Sequence, residues 1–140
     1  MIKERNEKGQ VVGYKTAGTA SLKRAYSEVK RRASKRKIHF DLTYDQWKFF
    51  SIRHCFYCGA APGNTKNRYK TLRLKKGDLV IPTNGIDRIN SSIGYTFTNS
   101  LPCCTKCNFM KHTESMTEFL LRVKKIYENQ KSYYNNIENK

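Results

Sequence analysis

Hydrophobic positions in this chain fall into a few periodic stretches set between polar, mostly basic segments. In residues 20–36, Leu22, Ala25, Tyr26, Val29 and Ala33 recur at i, i+3, i+4, i+7 and i+11. That single stripe predicts an amphipathic helix. In residues 39–52, Thr43 and Gln46 have capping-box spacing, and Leu42 and Trp47 can form a hydrophobic staple. A short helix over about 44–52 follows, with Trp47 and Phe50 expected in the core. A strand is predicted around 84–89, then a turn at Ser91–Gly94. A second strand is predicted over Tyr95–Leu101, which alternates and is rich in β-formers. A short helix should start at Cys104 and run to Lys111. Ser115 and Glu118 mark another capping box. Behind it Met116, Phe119, Leu120, Val123, Ile126 and Tyr127 predict an amphipathic helix to about 129. Residues 1–18 hold no sustained period and read as a mobile arm. The end, KSYYNNIENK, reads as a frayed polar tail.

These elements make an α+β chain of one domain at 140 residues. Its parts are a basic arm and helix over 1–40, a domain over 41–130 and a tail over 131–140. A hydrophobic fraction of 38% is low for a self-sufficient core. A structural ion would compensate, because metal-binding free energy is also folding free energy. Five cysteines could supply its ligands. The start, MIKERNEK, is too charged for a signal peptide, so a cytoplasmic, reducing compartment is expected, where cysteines serve metals rather than disulfides.

Charge sharpens the picture. With 28 Lys and Arg against 11 acids, the net charge is +17. That excess calls for a polyanion, with nucleic acid favoured over a membrane surface. No apolar run nears the roughly 20 residues of a spanning helix. The first 40 residues alone carry 12 basic and three acidic residues. Lys23, Arg24, Lys30, Arg31, Arg32, Lys35 and Arg36 are therefore expected to contact phosphates, the alternative being a solvated face. A second basic run, Lys66, Arg68, Lys70, Arg73, Lys75 and Lys76, lies in the loop 61–78. Tyr69 there could stack on a base, or the loop could be a disordered insert. Stacking by Trp47 is the lesser alternative to its core role.

Two Cys-x-x-Cys pairs carry the clearest chemistry. Cys55, Cys58, Cys104 and Cys107 have the spacing of a four-thiolate structural zinc site. A rubredoxin-like iron site is the rival, and the basic charge speaks against an electron carrier. Gly59 permits the tight turn behind the first pair. Cys103 is expected to pack as a small hydrophobe. A closed four-thiolate site has no open position, so catalysis would need a second ion. Asp87 on the first predicted strand and Asn108 at the start of the helix offer hard oxygens suited to Mg²⁺ or Mn²⁺. His112 lies one turn beyond Asn108 and could be a third ligand or a proton carrier, against the plainer reading of an exposed helix residue. His54 could support the first knuckle or simply lie on the surface.

The pattern Cys55-x-x-Cys58-Gly59, Ile-Asp87-Arg88-Ile, Gly-Tyr-Thr, Asn99 and Cys104-x-x-Cys107-Asn108-x-x-Lys111 resembles the HNH endonucleases, most closely the zinc-stapled phage and homing type. The resemblance covers roughly residues 40–125. It implies a treble-clef-like ββα-metal core, flanked here by the basic and amphipathic helices. It also implies metal-dependent hydrolysis of double-stranded DNA, by nicking or by cutting both strands. By the resemblance Asp87 and Asn108 hold the catalytic cation. Asn99 ties down the loop between the strands, and Lys111 faces phosphate. Arg88 stands where the family has its general-base His. An arginine stays protonated and cannot take that proton. Either Arg88 holds phosphate while His112, Tyr95 or hydroxide acts as base, or the cation itself activates the water, or the chain has kept nucleic-acid binding and lost cleavage. The competing classes are a zinc-containing DNA- or RNA-binding module without activity and a translation-associated RNA-binding protein.

Overall fold

The computed structural model describes residues 2–5, 11–15, 18–63, 74 and 79–138, with 2–5 and 11–15 described as backbone only. Strands β1 (Ile2–Arg5) and β2 (Val11–Lys15) pair as an antiparallel hairpin where the sequence suggested an irregular arm. Ile2, Val11, Val12 and Tyr14 are strand formers, but runs this short carry too little period to stand out.

Helix α1 (Thr19–Lys35) and helix α2 (Tyr44–Ser51) follow. The capping box of α2 is complete. Gln46 N donates to Thr43 Oγ1 at 3.2 Å, and Thr43 N donates to Gln46 Oε1 at 2.9 Å. Leu22 and Ala25 of α1, Leu42, Trp47 and Phe50 of α2's side, and Ile86 form one buried cluster. Burying each large member contributes about 1.5–3 kcal/mol. The basic helix thus supplies core residues on one side and exposes Lys23, Lys30, Arg31, Arg32, Lys35 and Arg36 on the other.

Strands β3 (Gly85–Arg88) and β4 (Ser100–Cys103) form a second antiparallel pair, with Asp87 opposite Leu101 and Gly85 opposite Cys103. The second strand starts later than its β-rich pattern suggested. Tyr95 instead makes an isolated parallel bridge with Phe40, and Phe97–Asn99 is a 3-10 turn. Tyr95 N donates to His39 O at 2.8 Å and Asp41 N to Tyr95 O at 2.8 Å. Gly94 permits this approach, since a Cβ there would lie 2.3 Å from His39 O. Helix α3 (Thr105–Lys111) packs on β3, completing the strand–strand–helix unit. Helix α4 (Met116–Asn129) begins with the expected box, and Ser115 N donates to Glu118 Oε2 at 2.8 Å. The tail is helical as well: α5 (Lys131–Glu138) adds two more turns, all exposed. None of the described helices is long and apolar enough to cross a membrane.

Candidate metal centre and the Asp87 site

The first knuckle grows from the end of α2. Cys55 N donates to Ala60 O at 2.8 Å, and Gly59 N returns to Cys55 O at 2.9 Å. Gly59 sits at φ 75°, a conformation open to glycine. His54 Nδ1 lies 3.0 Å from Gly59 O, so His54 braces the turn. The knuckle is pinned from two directions. Phe56 N donates to Pro102 O of β4 at 2.8 Å. Asn84 N donates to Ser51 O at 2.8 Å, and its amide Nδ2 donates to Arg53 O at 2.8 Å and Ala60 O at 3.1 Å. The second knuckle is the first turn of α3, where Cys104 caps the helix and its Sγ accepts from Cys107 N at 3.4 Å.

The four sulfurs of Cys55, Cys58, Cys104 and Cys107 lie within 4.8 Å of one another. Cys58 Sγ and Cys104 Sγ are 3.7 Å apart. A disulfide would need about 2.05 Å. A tetrahedron with metal–sulfur bonds of about 2.3 Å has edges of about 3.8 Å. The residues fit a tetrahedral thiolate ion, and the chain is positioned to bind one. Cys103, fully buried beside Cys55 and Cys107, stays apart from this set. Burial and the neighbouring Asp87 carboxylate push its thiol up, so it remains protonated.

Asp87 is the hub of the second site, and it is 4% exposed. Tyr57, between the two cysteines of the first knuckle, donates its hydroxyl to Asp87 Oδ2 at 2.7 Å. Lys111 Nζ lies 3.2 Å from Asp87 Oδ1 and also donates to Arg88 O at 2.9 Å and Ser91 Oγ at 3.3 Å. The phenol is pushed up, first by burial and then by the carboxylate it bonds, so it stays a donor. Phe119 of α4, itself buried, stacks edge-on against Tyr57 with centroids 5.2 Å apart. A chain of contacts thus runs from α4 through the knuckle to β3 and α3.

This arrangement corrects one expectation. Lys111 is not a phosphate contact: its side chain is fully buried and spent on Asp87 and two neighbouring oxygens. The signal was present in the helix phase. Cys104, Cys107 and Lys111 fall at i, i+3 and i+7, the inward face of α3. Tyr57 gave no such signal, since its direction depends on the knuckle turn.

The other candidates take definite places. Asn99 is buried, and Oδ1 accepts from Asn90 N at 2.9 Å while Nδ2 donates to Asn90 O at 3.1 Å and Gly94 O at 2.9 Å. Arg88 is half-buried, donates from Nη1 to Ser91 O at 2.7 Å and Ile93 O at 3.1 Å, and lies 5.5 Å from the Tyr95 ring centroid. Asn108 is exposed on α3, one turn before Lys111. His112 is exposed past the helix end at φ 53°, its Nδ1 3.3 Å from Thr113 Oγ1. Its positive φ ends the helix there, while His112 N still donates to Asn108 O at 3.0 Å. On α1, Arg31 and Arg32 share Glu28, whose carboxyl is held down to about 2 chiefly by the Arg31 hydrogen bond, opposed by slight burial. Lys66, Arg68, Lys70, Arg73, Lys75 and Lys76 lie outside the described residues.

Could these groups hold a hard cation beside Asp87? A carboxylate has lone pairs for about four bonds. Asp87 uses one on each oxygen, and Asn108 offers an exposed amide from the helix packed on β3. The donor set fits in kind, with the Lys111 ammonium as a competing charge on one oxygen.

Comparison with known proteins agrees with the architecture. The chain superposes on the rare-cutting HNH restriction endonuclease PacI with a TM-score of 0.54, covering 94% of this chain and 97% of that one at 20% identity. The fold is therefore HNH-like: a small two-stranded sheet with helices and four cysteines positioned for a metal ion. In sequence, 96 residues are 29% identical to the uncharacterized protein R423 of Acanthamoeba polyphaga mimivirus, covering 69% of this chain. The matched stretch spans only 15% of that protein's length. No family model matches the chain.

Proposed function

We propose that this protein is a metal-dependent HNH-type endonuclease that hydrolyses DNA phosphodiester bonds, with a structural zinc on its four cysteines. The observation that carries this reading is the buried Asp87, held on both oxygens at the junction of β3, α3 and the thiolate cluster. Zinc is assigned because the donors are all sulfur and the site is closed. Asp87 and Asn108 would hold Mg²⁺ or Mn²⁺ on the scissile phosphate. Such an ion supplies charge stabilisation for the leaving oxygen when bound. Tyr57 and Lys111 fix the carboxylate so that little reorganisation remains. Arg88 has guanidinium N–H groups beyond its two carbonyl bonds, and we assign them to phosphate. Asn99 holds the 90–94 loop on which Arg88 leans. The exposed cations of α1, and those of the 61–78 loop, would grip flanking DNA.

A second reading is favoured by the same hub. An aspartate this deeply engaged, next to an arginine that cannot serve as base, also suits a zinc module that binds DNA or RNA without cutting. Plasmid relaxation separates the two. The enzyme reading expects relaxation only with Mg²⁺ or Mn²⁺, abolished by Asp87→Ala while zinc content and DNA retardation persist. Equal relaxation by wild type and variant defeats it. Retardation with no cleavage under any cation, steeply weakened by salt, establishes the binding module.

A further inference from the structure

Phe119 and the residues that follow it on the same side of α4 have different surroundings. Phe119 is buried against Tyr57. Val123, Ile126 and Tyr127 continue its stripe at helical spacing, with Leu120 at the edge, and all four are exposed by 38–50%. The stripe does not stop at the helix end. Tyr134 of α5 meets Tyr127 with ring centroids 5.6 Å apart, and Ile137 lies one turn further on, 51% exposed. Weighted by their exposure, these six side chains offer on the order of 500 Å² of apolar surface, the size of patch that on a soluble protein often marks an interaction site.

Charge says what can cover it. Residues 114–138 carry four acidic and four basic residues, a net of zero in a chain of +17. This segment lacks the positive field that attracts nucleic acid. It is therefore a surface on which two copies can meet with little local repulsion. A standard interface buries about 800 Å² per partner, roughly 65% apolar in homodimers, which matches the open area. A two-fold axis across one helical stripe makes it its own complement.

We propose that the α4–α5 stripe is a homodimer interface, so that two copies of the chain pair through Leu120, Val123, Ile126, Tyr127, Tyr134 and Ile137. This stands whether or not the chain cleaves DNA. Sedimentation of the metal-loaded full chain in high salt, from micromolar concentration upward, tests it. The expected species has twice the 16.4 kDa chain mass. Val123→Glu with Ile126→Glu should abolish the dimer while helical circular dichroism and metal content stay unchanged. Leu121→Glu, the same change on the charged side of α4, should keep it, and that contrast decides the matter if the double variant misfolds. A wild-type protein that stays at monomer mass overturns the proposal, as does loss of the dimer in Leu121→Glu. A dimer that survives the double substitution in a folded protein also overturns it.

Discussion

Lys111 Nζ lies 3.2 Å from Asp87 Oδ1, and the two side chains are 0% and 5% exposed. Neither charge can be solvated if the other is removed. Lys111→Met should therefore cost about 3–5 kcal/mol, because it leaves a buried carboxylate with Tyr57 as its remaining side-chain partner among the described residues. Adding Asp87→Asn in the same chain should recover part of that loss. Urea unfolding of the metal-loaded proteins measures both. A cost under about 1 kcal/mol for the single variant would show that the pair is solvated in solution.

Tyr57→Phe removes one hydrogen bond from Asp87 and keeps the ring against Phe119. The stability loss should be about 1–2 kcal/mol, since Asp87 is charged and buried. If the carboxylate works on a cation, cleavage should fall about 10–100-fold with DNA affinity unchanged. Steady-state nicking and filter binding, run side by side, give the two numbers. Parallel losses in both would mean that Tyr57 shapes the DNA surface instead.

The thiolate cluster and its odd neighbour can be told apart by metal analysis. If the four thiolates hold an ion as proposed, Cys58→Ser and Cys107→Ser should lose it and unfold the β3–β4–α3 unit, because thiolate ligation is then coupled to folding. Cys103→Ala should keep one ion per chain and lose only a few kcal/mol to the small cavity. A strong zinc chelator should lower the melting temperature of the Cys103→Ala and wild-type proteins alike. Loss of metal in Cys103→Ala would place that sulfur among the ligands.

Asn99→Ala strips four backbone partners in the 90–94 loop, with Asn90 N the first to lose its acceptor. A cost of about 2–3 kcal/mol is expected. Hydrogen exchange at the Asn90 amide should accelerate sharply, while exchange in the α1–α2 core stays near wild type. Unchanged protection at Asn90 would mean that the loop is held by its other contacts.

Local signals made much of this fold legible in the sequence. Both capping boxes formed as spaced, since each is a contact between residues three apart. The four cysteines met because each short knuckle fixes the spacing of its own pair. What the sequence concealed depends on which side of an element faces inward. Lys111 looks like surface by its charge, whereas the packing of α3 on β3 buries it. Phe109 and Met110 look like core and are 78% and 62% exposed. The Tyr95–Leu101 run alternates like a strand, yet Asn99 bonding back to Asn90 bends it into a 3-10 turn first. Tyr57 acquired its role from a partner 30 residues away, and no local pattern encodes that.

The chain leaves the first knuckle at Ala60 and returns to it at Asn84, whose amide bonds the Ala60 carbonyl. The two ends of the stretch between them therefore lie together. Enlarging such a stretch is thermodynamically cheap, since doubling its length adds only about 0.6 kcal/mol of closure entropy. Only the part before Leu74 is free to change on this ground, because Leu74 and Ile81 pack on the α1–α2 core, Ile81 N bonds Ser21 Oγ, and Val80 and Thr83 are buried. A change of length or charge within 61–73 should leave the hub around Asp87 where it is.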